Sequence, residues 1–594
     1  MNRRLIIVLS LLLLCLNCRS LHSDRPVFKE GDLSGAVTAL DTIVRKNLKQ
    51  HRIPGAAVAL VHEGRILFSR CYGYEDGKKK VAITEDSYFM AGSLTKSFTA
   101  LAVLKLIKQG KVDPHADIKN YIPGFSIRNL DKGEASLTVN HLLTHTSGLM
   151  IDYYAHSTGE EKYSNADLLS QLQNEYLCFN PGSASKYSNI GYRLLGMIVE
   201  QVTGERFESY LEKEVFKPLG LNKSTFNYTE DVALHMSKGH NGNTEISRVD
   251  NEDKSASGLF STLKDLTGFM EFLSSRAIVS SGGINNGEII DSILENAIPA
   301  IDTFYDNKNI YSSGWYLNSY QFKGIHTVLS CSGSINGFST AMTYIPEERL
   351  GIIILTNSSL GWKANMDIIA SGLRGILDAF RGPGLLRSEG ENQKKTPSTA
   401  EYGSLCGRYV GFGPMVDIFQ KKNKLYAKFK GPAALLIPEG DGVFKPVIQI
   451  LFMDIDVARF TEYESVRFRF GSNQRGDKFL YMEARVGEST FSIPLHHTQK
   501  SNIPKTYRRY YGTWALNENE TYPNVLKLYL PSSRLTFFEK NGWPMIKINT
   551  WMGDGLLLIV PLSENLARIA GSGEIISLND DTVNYIGLSF KKVR

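Results

Sequence analysis

The hydrophobic pattern of this chain changes character once, and that change constrains the fold more than any single residue does. Up to about Phe380, helical and strand-like apolar runs alternate; beyond Thr399 nearly every apolar run has period two. Residues 381–399 separate the two regimes. They carry Gly382-Pro383-Gly384 and then Ser388-Glu389-Gly390-Glu391-Asn392-Gln393-Lys394-Lys395-Thr396-Pro397, which breaks every periodicity and reads as a linker. A chain of 594 residues is too long for one core. The boundary therefore predicts an α+β unit over 33–380 and an all-β remainder, divided into modules at 400–505 and 506–594.

Within the first unit, Ala56-Ala57-Val58-Ala59-Leu60-Val61 and Ile66-Leu67-Phe68 predict a hairpin turning at Glu63-Gly64. Ser339–Tyr344 and Leu350–Leu355 predict a second hairpin around Pro346-Glu347-Glu348, and Tyr192–Val202 and Ala364–Phe380 predict helices. Strands at both ends with helices between them imply one sheet in which the first and last strands meet. In the β region, Val416–Phe419, Leu425–Phe429, Val466–Phe470, Leu526–Leu530 and Met545–Ile548 alternate, with Asn541-Gly542 as a turn signal. Gly407-Arg408-Tyr409 and Gly512-Thr513-Trp514 open two similar runs of strands, a faint internal repeat.

Chemistry concentrates at Ser93-Leu94-Thr95-Lys96, which heads the apolar run Ser97–Ile107. On a helix this spacing sets a hydroxyl and an amine on one face. A helix starting at Ser93 would also leave its backbone N–H free to bind a developing oxyanion. The spacing alone is unspecific, since Ser183–Lys186, Ser261–Lys264 and Ser589–Lys592 share it. Ser93 is set apart by the short approach Tyr88-Phe89-Met90-Ala91-Gly92, whose glycine permits a tight turn, and by the long helix that Gly110 ends. Tyr187 is placed to relay a proton and Asn189 to bind an amide. Tyr163-Ser164-Asn165 repeats their tripeptide without the neighbouring Pro-Gly turn.

In the order Ile53-Pro54-Gly55, Ser93–Lys96, Leu142–Leu149, Tyr187–Asn189, Ser257-Gly258-Leu259 and Gly337-Phe338, the chain resembles the β-lactamase-related serine hydrolases. These are the class C β-lactamases, D-Ala-D-Ala peptidases, D-aminopeptidases and related esterases. The resemblance implies a β-lactamase/transpeptidase-like α+β domain with Ser93 as nucleophile, Lys96 as its base partner and Tyr187 as general base and acid. The reaction expected is cleavage of a small-molecule or peptide amide or ester through an acyl-enzyme, without a cofactor. A catalytically impaired binding protein on the same fold is the alternative. His145, in His-Thr-Ser-Gly-Leu, is expected to be structural. The family's Lys-Thr-Gly or His-x-Gly strand aligns here with Cys331-Ser332-Gly333, followed by Ser334. With Asn189, these four are the expected substrate-binding residues, Cys331 being read as a buried small apolar residue rather than a nucleophile, with the Ser334 N–H completing an oxyanion hole and the missing cation implying weak or absent β-lactam turnover. The C-terminal region resembles the lipocalin-like modules of some relatives.

Met1-Asn2-Arg3-Arg4 and the apolar run Leu5–Leu16 read as a secretory signal within 1–20, with a lipid anchor at Cys18 or an uncleaved anchor as other readings. Each places the chain outside the cytoplasm, secreted or attached to a membrane. The net charge of +6 is spread through short lysine clusters without interleaved aromatics, which argues against nucleic acid. Outside the signal, Cys71, Cys178, Cys331 and Cys406 form no Cys-x-x-Cys pair, no His-Glu-x-x-His stretch exists and His496-His497 is isolated, so no metal site is expected. Disulfides and oligomeric state are not legible.

Overall fold

The computed structural model describes residues 28–130, 136–152, 164–382 and 401–593, excepting shorter stretches inside the last two ranges, among them 247–252, 304–309 and 517–533. Residues 383–399 of the expected linker, Leu526–Leu530 and Asn541-Gly542 lie outside the described residues, as does the N-terminal signal, while Arg381 of that linker still belongs to a helix.

The first unit is built on an eight-stranded sheet. Its strands are β1 (Gly55–His62), β2 (Arg65–Asp76), β3 (Val81–Ala82), β4 (Ile310–Ser312), β5 (Trp315–Leu317), β6 (Leu329–Ile335), β7 (Phe338–Ile345) and β8 (Leu350–Thr356). They run in the order β4-β5-β6-β7-β8-β1-β2-β3. The first and last strands meet as expected, antiparallel, with Val58 opposite Ile354 and Leu60 opposite Ile352. Glu63 and Gly64 both take positive φ, 52° and 75°, which suits a tight two-residue hairpin turn. Arg349, at φ 47°, closes the second hairpin after the 3-10 turn Pro346–Glu348.

β1 shows no polar alternation because both of its faces are covered. Ala56, Val58 and Leu60 join a core with α1 (Leu33–Gln50) and α5 (Gly361–Arg381), including Leu40, Val44, Ile368 and Leu373. Ala57, Ala59 and Val61 face the opposite core, which holds α2 (Thr95–Lys108), α3 (Asn189–Thr203) and α4 (Leu263–Ser274). α2 is buried on nearly all sides, so it carries apolar residues around its circumference rather than along one stripe.

Beyond the linker the chain is all β. Nine strands from Gly407 to Thr498 form one sheet, in which Val443 and Phe444 pair with Arg469 and Phe468 while their own strand also pairs with Ala433–Gly440. That double pairing returns the sheet on itself. Eight further strands, Gly512–Leu516 through Leu588–Lys592, close into a second barrel. Closure removes the unpaired edges an open sheet would expose.

The faint repeat corresponds to a shared device at the entrance of each module. A short helix, Tyr402–Leu405 or Lys505–Tyr510, leads into a glycine at positive φ, Gly407 at 150° or Gly512 at 126°. Two residues later an aromatic inserts, fully buried, and its polar tip bonds the carbonyl four residues back. The Tyr409 hydroxyl donates to Leu405 O at 2.9 Å, and Trp514 Nε1–H to Tyr510 O at 2.8 Å. The modules touch through Val410, Met545, Leu558 and Ala570, and the Arg408 guanidinium lies 4.7 Å from the Trp543 ring centre.

Candidate active site

Ser93 sits in a 3-10 turn, Gly92–Leu94, and the α-helix begins two residues later, at Thr95, than the expected start at Ser93. The turn is forced by a close approach. Gly92 has φ 56°, and a Cβ there would lie 2.9 Å from Ser334 N. A Cβ on Gly333 would lie 2.0 Å from Ala91 O and 2.8 Å from Ser93 N. Only two glycines let the serine turn press against β6, and the Ser93 and Ser334 amides consequently stand close together.

Two side chains meet at the Ser93 hydroxyl, one from the next helical turn and one from a distant segment. The Tyr187 hydroxyl donates to Ser93 Oγ at 2.6 Å, and Lys96 Nζ lies 3.3 Å from the same oxygen. Lys96 Nζ also donates to Asn189 Oδ1 and to Ala256 O, both at 2.7 Å, and stands 4.8 Å from the Tyr187 ring centre. Lys96 is fully buried, and desolvation pushes its pKa down to about 7 despite the opposing pull of Asp152 and Asp253. Ser93 and Tyr187 remain half-buried, so a solute can reach them.

That pKa permits two proton arrangements. A neutral Lys96 donates its two N–H groups to Asn189 and Ala256 and turns its lone pair to the serine O–H. A charged Lys96 donates to all three oxygens. Either way the Ser93 hydroxyl stands between two groups able to exchange a proton with it, an arrangement a serine nucleophile requires.

Asn189 is placed differently from expectation. Its amide is occupied at both ends, accepting from Lys96 and donating through Nδ2 to Asp152 Oδ2 at 2.9 Å. It holds the lysine rather than presenting a vacant amide. Ser188 caps α3, accepting from Gly191 N–H and donating to Met150 O.

His145 does not reach Ser93; it brackets Tyr187. Its carbonyl accepts the Lys186 N–H at 2.7 Å, its Nδ1 accepts the Ser188 N–H at 3.2 Å, and its ring lies 4.4 Å from that of Tyr187. Burial holds its pKa well below the usual histidine value, so it serves as a neutral wedge with φ 56°. Asp152 and the Ala256 carbonyl were not singled out from sequence. Asp152 follows the His-Thr-Ser-Gly-Leu stretch closely, but a carboxylate in a loop carries no pattern of its own.

On β6, Ser332 and Ser334 are exposed while Cys331 and Gly333 are buried, the alternation that a strand imposes. Cys331 is 4% exposed, desolvation drives its thiol pKa far up, and Ser97 is its hydrogen-bonding neighbour. It faces the interior beside α2, which corrects the expectation of a substrate contact there. The other Ser-x-x-Lys pairs are occupied elsewhere: Lys186 Nζ stands 3.3 Å from Glu574, and Lys592 Nζ donates to Arg509 O. Ser261 shares a hydrogen bond with Ser224. In the repeated tripeptide, Ser164 caps the helix Asn165–Leu172. Among the described residues no cluster of metal-ligating side chains occurs, and no helix is long and apolar enough to cross a membrane.

A profile of the Beta-lactamase family matches residues 40–371. Protein flp of Staphylococcus aureus (strain MRSA252) is 26% identical over 326 residues, covering 54% of this chain and 62% of its own length. Beta-lactamase-like protein 4 of Dictyostelium discoideum is 26% identical over 371 residues, covering 58% of this chain and 63% of that protein. The chain thus spans less than two thirds of the curated relatives it matches. Among solved structures, that of SurE with D-Leu superposes with a TM-score of 0.52 at 17% identity, covering 78% of this chain and 100% of SurE; the likeness is one of fold.

Proposed function

This chain belongs to the Beta-lactamase family, a family of serine hydrolases, and on that premise we propose that it cleaves an amide or ester through an acyl-enzyme on Ser93. The observation that carries the reading is the 2.6 Å contact between the Tyr187 hydroxyl and Ser93 Oγ, with the buried Lys96 behind both. In this scheme Ser93 Oγ attacks the carbonyl carbon while its proton passes to Tyr187 or Lys96. The oxyanion is held by the Ser93 and Ser334 N–H groups. Tyr187 then returns the proton to the leaving amine or alcohol, and water repeats the sequence to release the acyl group.

The exposed Ser332 hydroxyl and the inward Cys331 put no cation where the family usually carries one. The reading therefore favours neutral substrates and weak β-lactam turnover. The N-terminal segment supports a place outside the cytoplasm as part of the same proposal. A fluorophosphonate probe tests it: wild type should label, and Ser93→Ala should not. An unlabelled, folded wild type would favour the binding-protein alternative, and equal labelling of Ser93→Ala would remove Ser93 as nucleophile.

A further inference from the structure

Beside the proposed site lies an ion pair that the reaction scheme does not use. Lys186, the residue before Tyr187, has a side chain with 0% exposure, and its Nζ stands 3.3 Å from Oε1 of Glu574, which is 1% exposed. Glu574 belongs to the second barrel, at the end of a hairpin between Leu566–Ile569 and Ile575–Leu578. Its other oxygen accepts the Tyr585 hydroxyl at 2.6 Å, and its carbonyl accepts the Ile569 N–H at 2.8 Å. The carboxylate is thus tied to the barrel wall through one of its oxygens and through its own backbone. Cys178 lies within electrostatic reach of both charges. One continuous apolar core runs from the helical region into this barrel, joining Leu142, Leu149 and Ile190 with Trp514, Ile569 and Tyr585.

Lys186 is equally fixed on its own side. Its backbone N–H donates to His145 O, the same histidine whose Nδ1 and ring hold Ser188 and Tyr187. A buried ion pair is weak evidence for stability, because desolvating both charges offsets much of their attraction; removing one partner, however, strands the other without water. Such a pair specifies a relative position more than it adds stability. Here the position specified is that of the segment carrying Tyr187.

We propose that the second barrel is a positioning element of the active site, acting through Glu574 and Lys186 to fix Tyr187 against Ser93. This rests on the serine-hydrolase reading above. Glu574 and Lys186 touch no substrate; they act through the Lys186–Tyr187–Ser188 backbone.

The test uses the full chain, with 4-nitrophenyl acetate for turnover and a fluorophosphonate for the rate of Ser93 labelling. Glu574→Gln keeps the shape and removes the charge. It is expected to lower kcat roughly 10-fold or more, in line with the sensitivity of catalysis to small misplacements, while KM changes little. Lys186→Met should lower kcat similarly. The double variant Lys186→Met/Glu574→Met should recover part of that loss, because no charge is left stranded. Tyr585→Phe, a milder change that removes one hydrogen bond to the carboxylate, serves if Glu574→Gln does not fold; it should lower kcat several-fold with the same KM pattern. Folded single variants with wild-type kcat, or a double variant worse than either single, would overturn the proposal. Failure of the wild type itself to label would instead remove the hydrolase reading, and this inference with it.

Discussion

Replacing Lys96 with methionine should do two opposite things, both set by one buried amine. Lys96 titrates near 7 in the folded protein, against 10.5 for an ordinary lysine. Between those values the unfolded chain binds more protons than the folded one, so stability rises with pH across that window and the full cost of burying the ammonium is borne below about pH 7. Integrating over the two pKa values, the wild type gains about 2–3 kcal/mol from this group between pH 6 and pH 9. Lys96→Met has no titrating group there and loses that gain. It also leaves Asn189 Oδ1 and Ala256 O without their donor, at about 1–3 kcal/mol each, independent of pH. The informative quantity is therefore the difference between variant and wild type at the two pH values, not the stability of either. Urea unfolding of the first unit, followed at pH 6 and pH 9, reads it out. The variant should be relatively more stable at pH 6 by about 2–3 kcal/mol, and its hydrolysis should fall on the order of 100-fold or more. A wild-type-minus-variant difference that is the same at both pH values would refute the depressed pKa and the proton shuttle built on it.

Gly92→Ala should place a methyl 2.9 Å from Ser334 N and push the serine turn off β6, reducing kcat on the order of 100-fold with the fold retained, as circular dichroism and steady-state kinetics would show. Cys331 should resist iodoacetamide in the native state and react only on unfolding, because it is buried and its thiol pKa is raised. Cys331→His, which the sequence alone would suggest for restoring a cation in the cleft, should instead overpack the space beside α2 and cost about 1–3 kcal/mol, measurable by denaturant titration. Limited proteolysis should cut first within 381–399, on the strength of its composition, and N-terminal sequencing of the fragments would locate the cut.

The parts of this molecule legible in sequence are those written into local spacing. Glu63-Gly64 announces its hairpin, the apolar run at Ala56–Val61 announces a strand of it, and Ser93–Lys96 announces a hydroxyl and an amine on adjoining turns. Tyr187 could be chosen over Tyr163 because of the Pro-Gly turn and apolar helix around it. What stayed hidden depends on facing and on distance. The alternation along β6 turns Cys331 inward, yet that phase is set by which edge meets Gly92, a contact no local window contains. Asn189 looked available until Lys96 and Asp152 filled both ends of its amide. Barrel closure depends on Val443 and Phe444 finding two partner strands, and Glu574 reaches Lys186 from the far end of the chain.

The pairing of β1 with β8 also governs when this domain can come into being. β1 to β3 are complete by Ala82, while β8 ends only at Thr356, and the two halves join at the centre of the sheet. Until residues 350–356 are available, β1 is paired only with β2 and its other edge stands open, and the face that α5 covers is still incomplete. Contacts of such long sequence separation make for slow assembly and prolonged exposure of strand edges. The domain is therefore a late folder during its own synthesis. Its ends then finish side by side, the Gly31 N–H donating to Ala379 O at 2.7 Å, so the completed unit closes like a clasp before the first barrel begins.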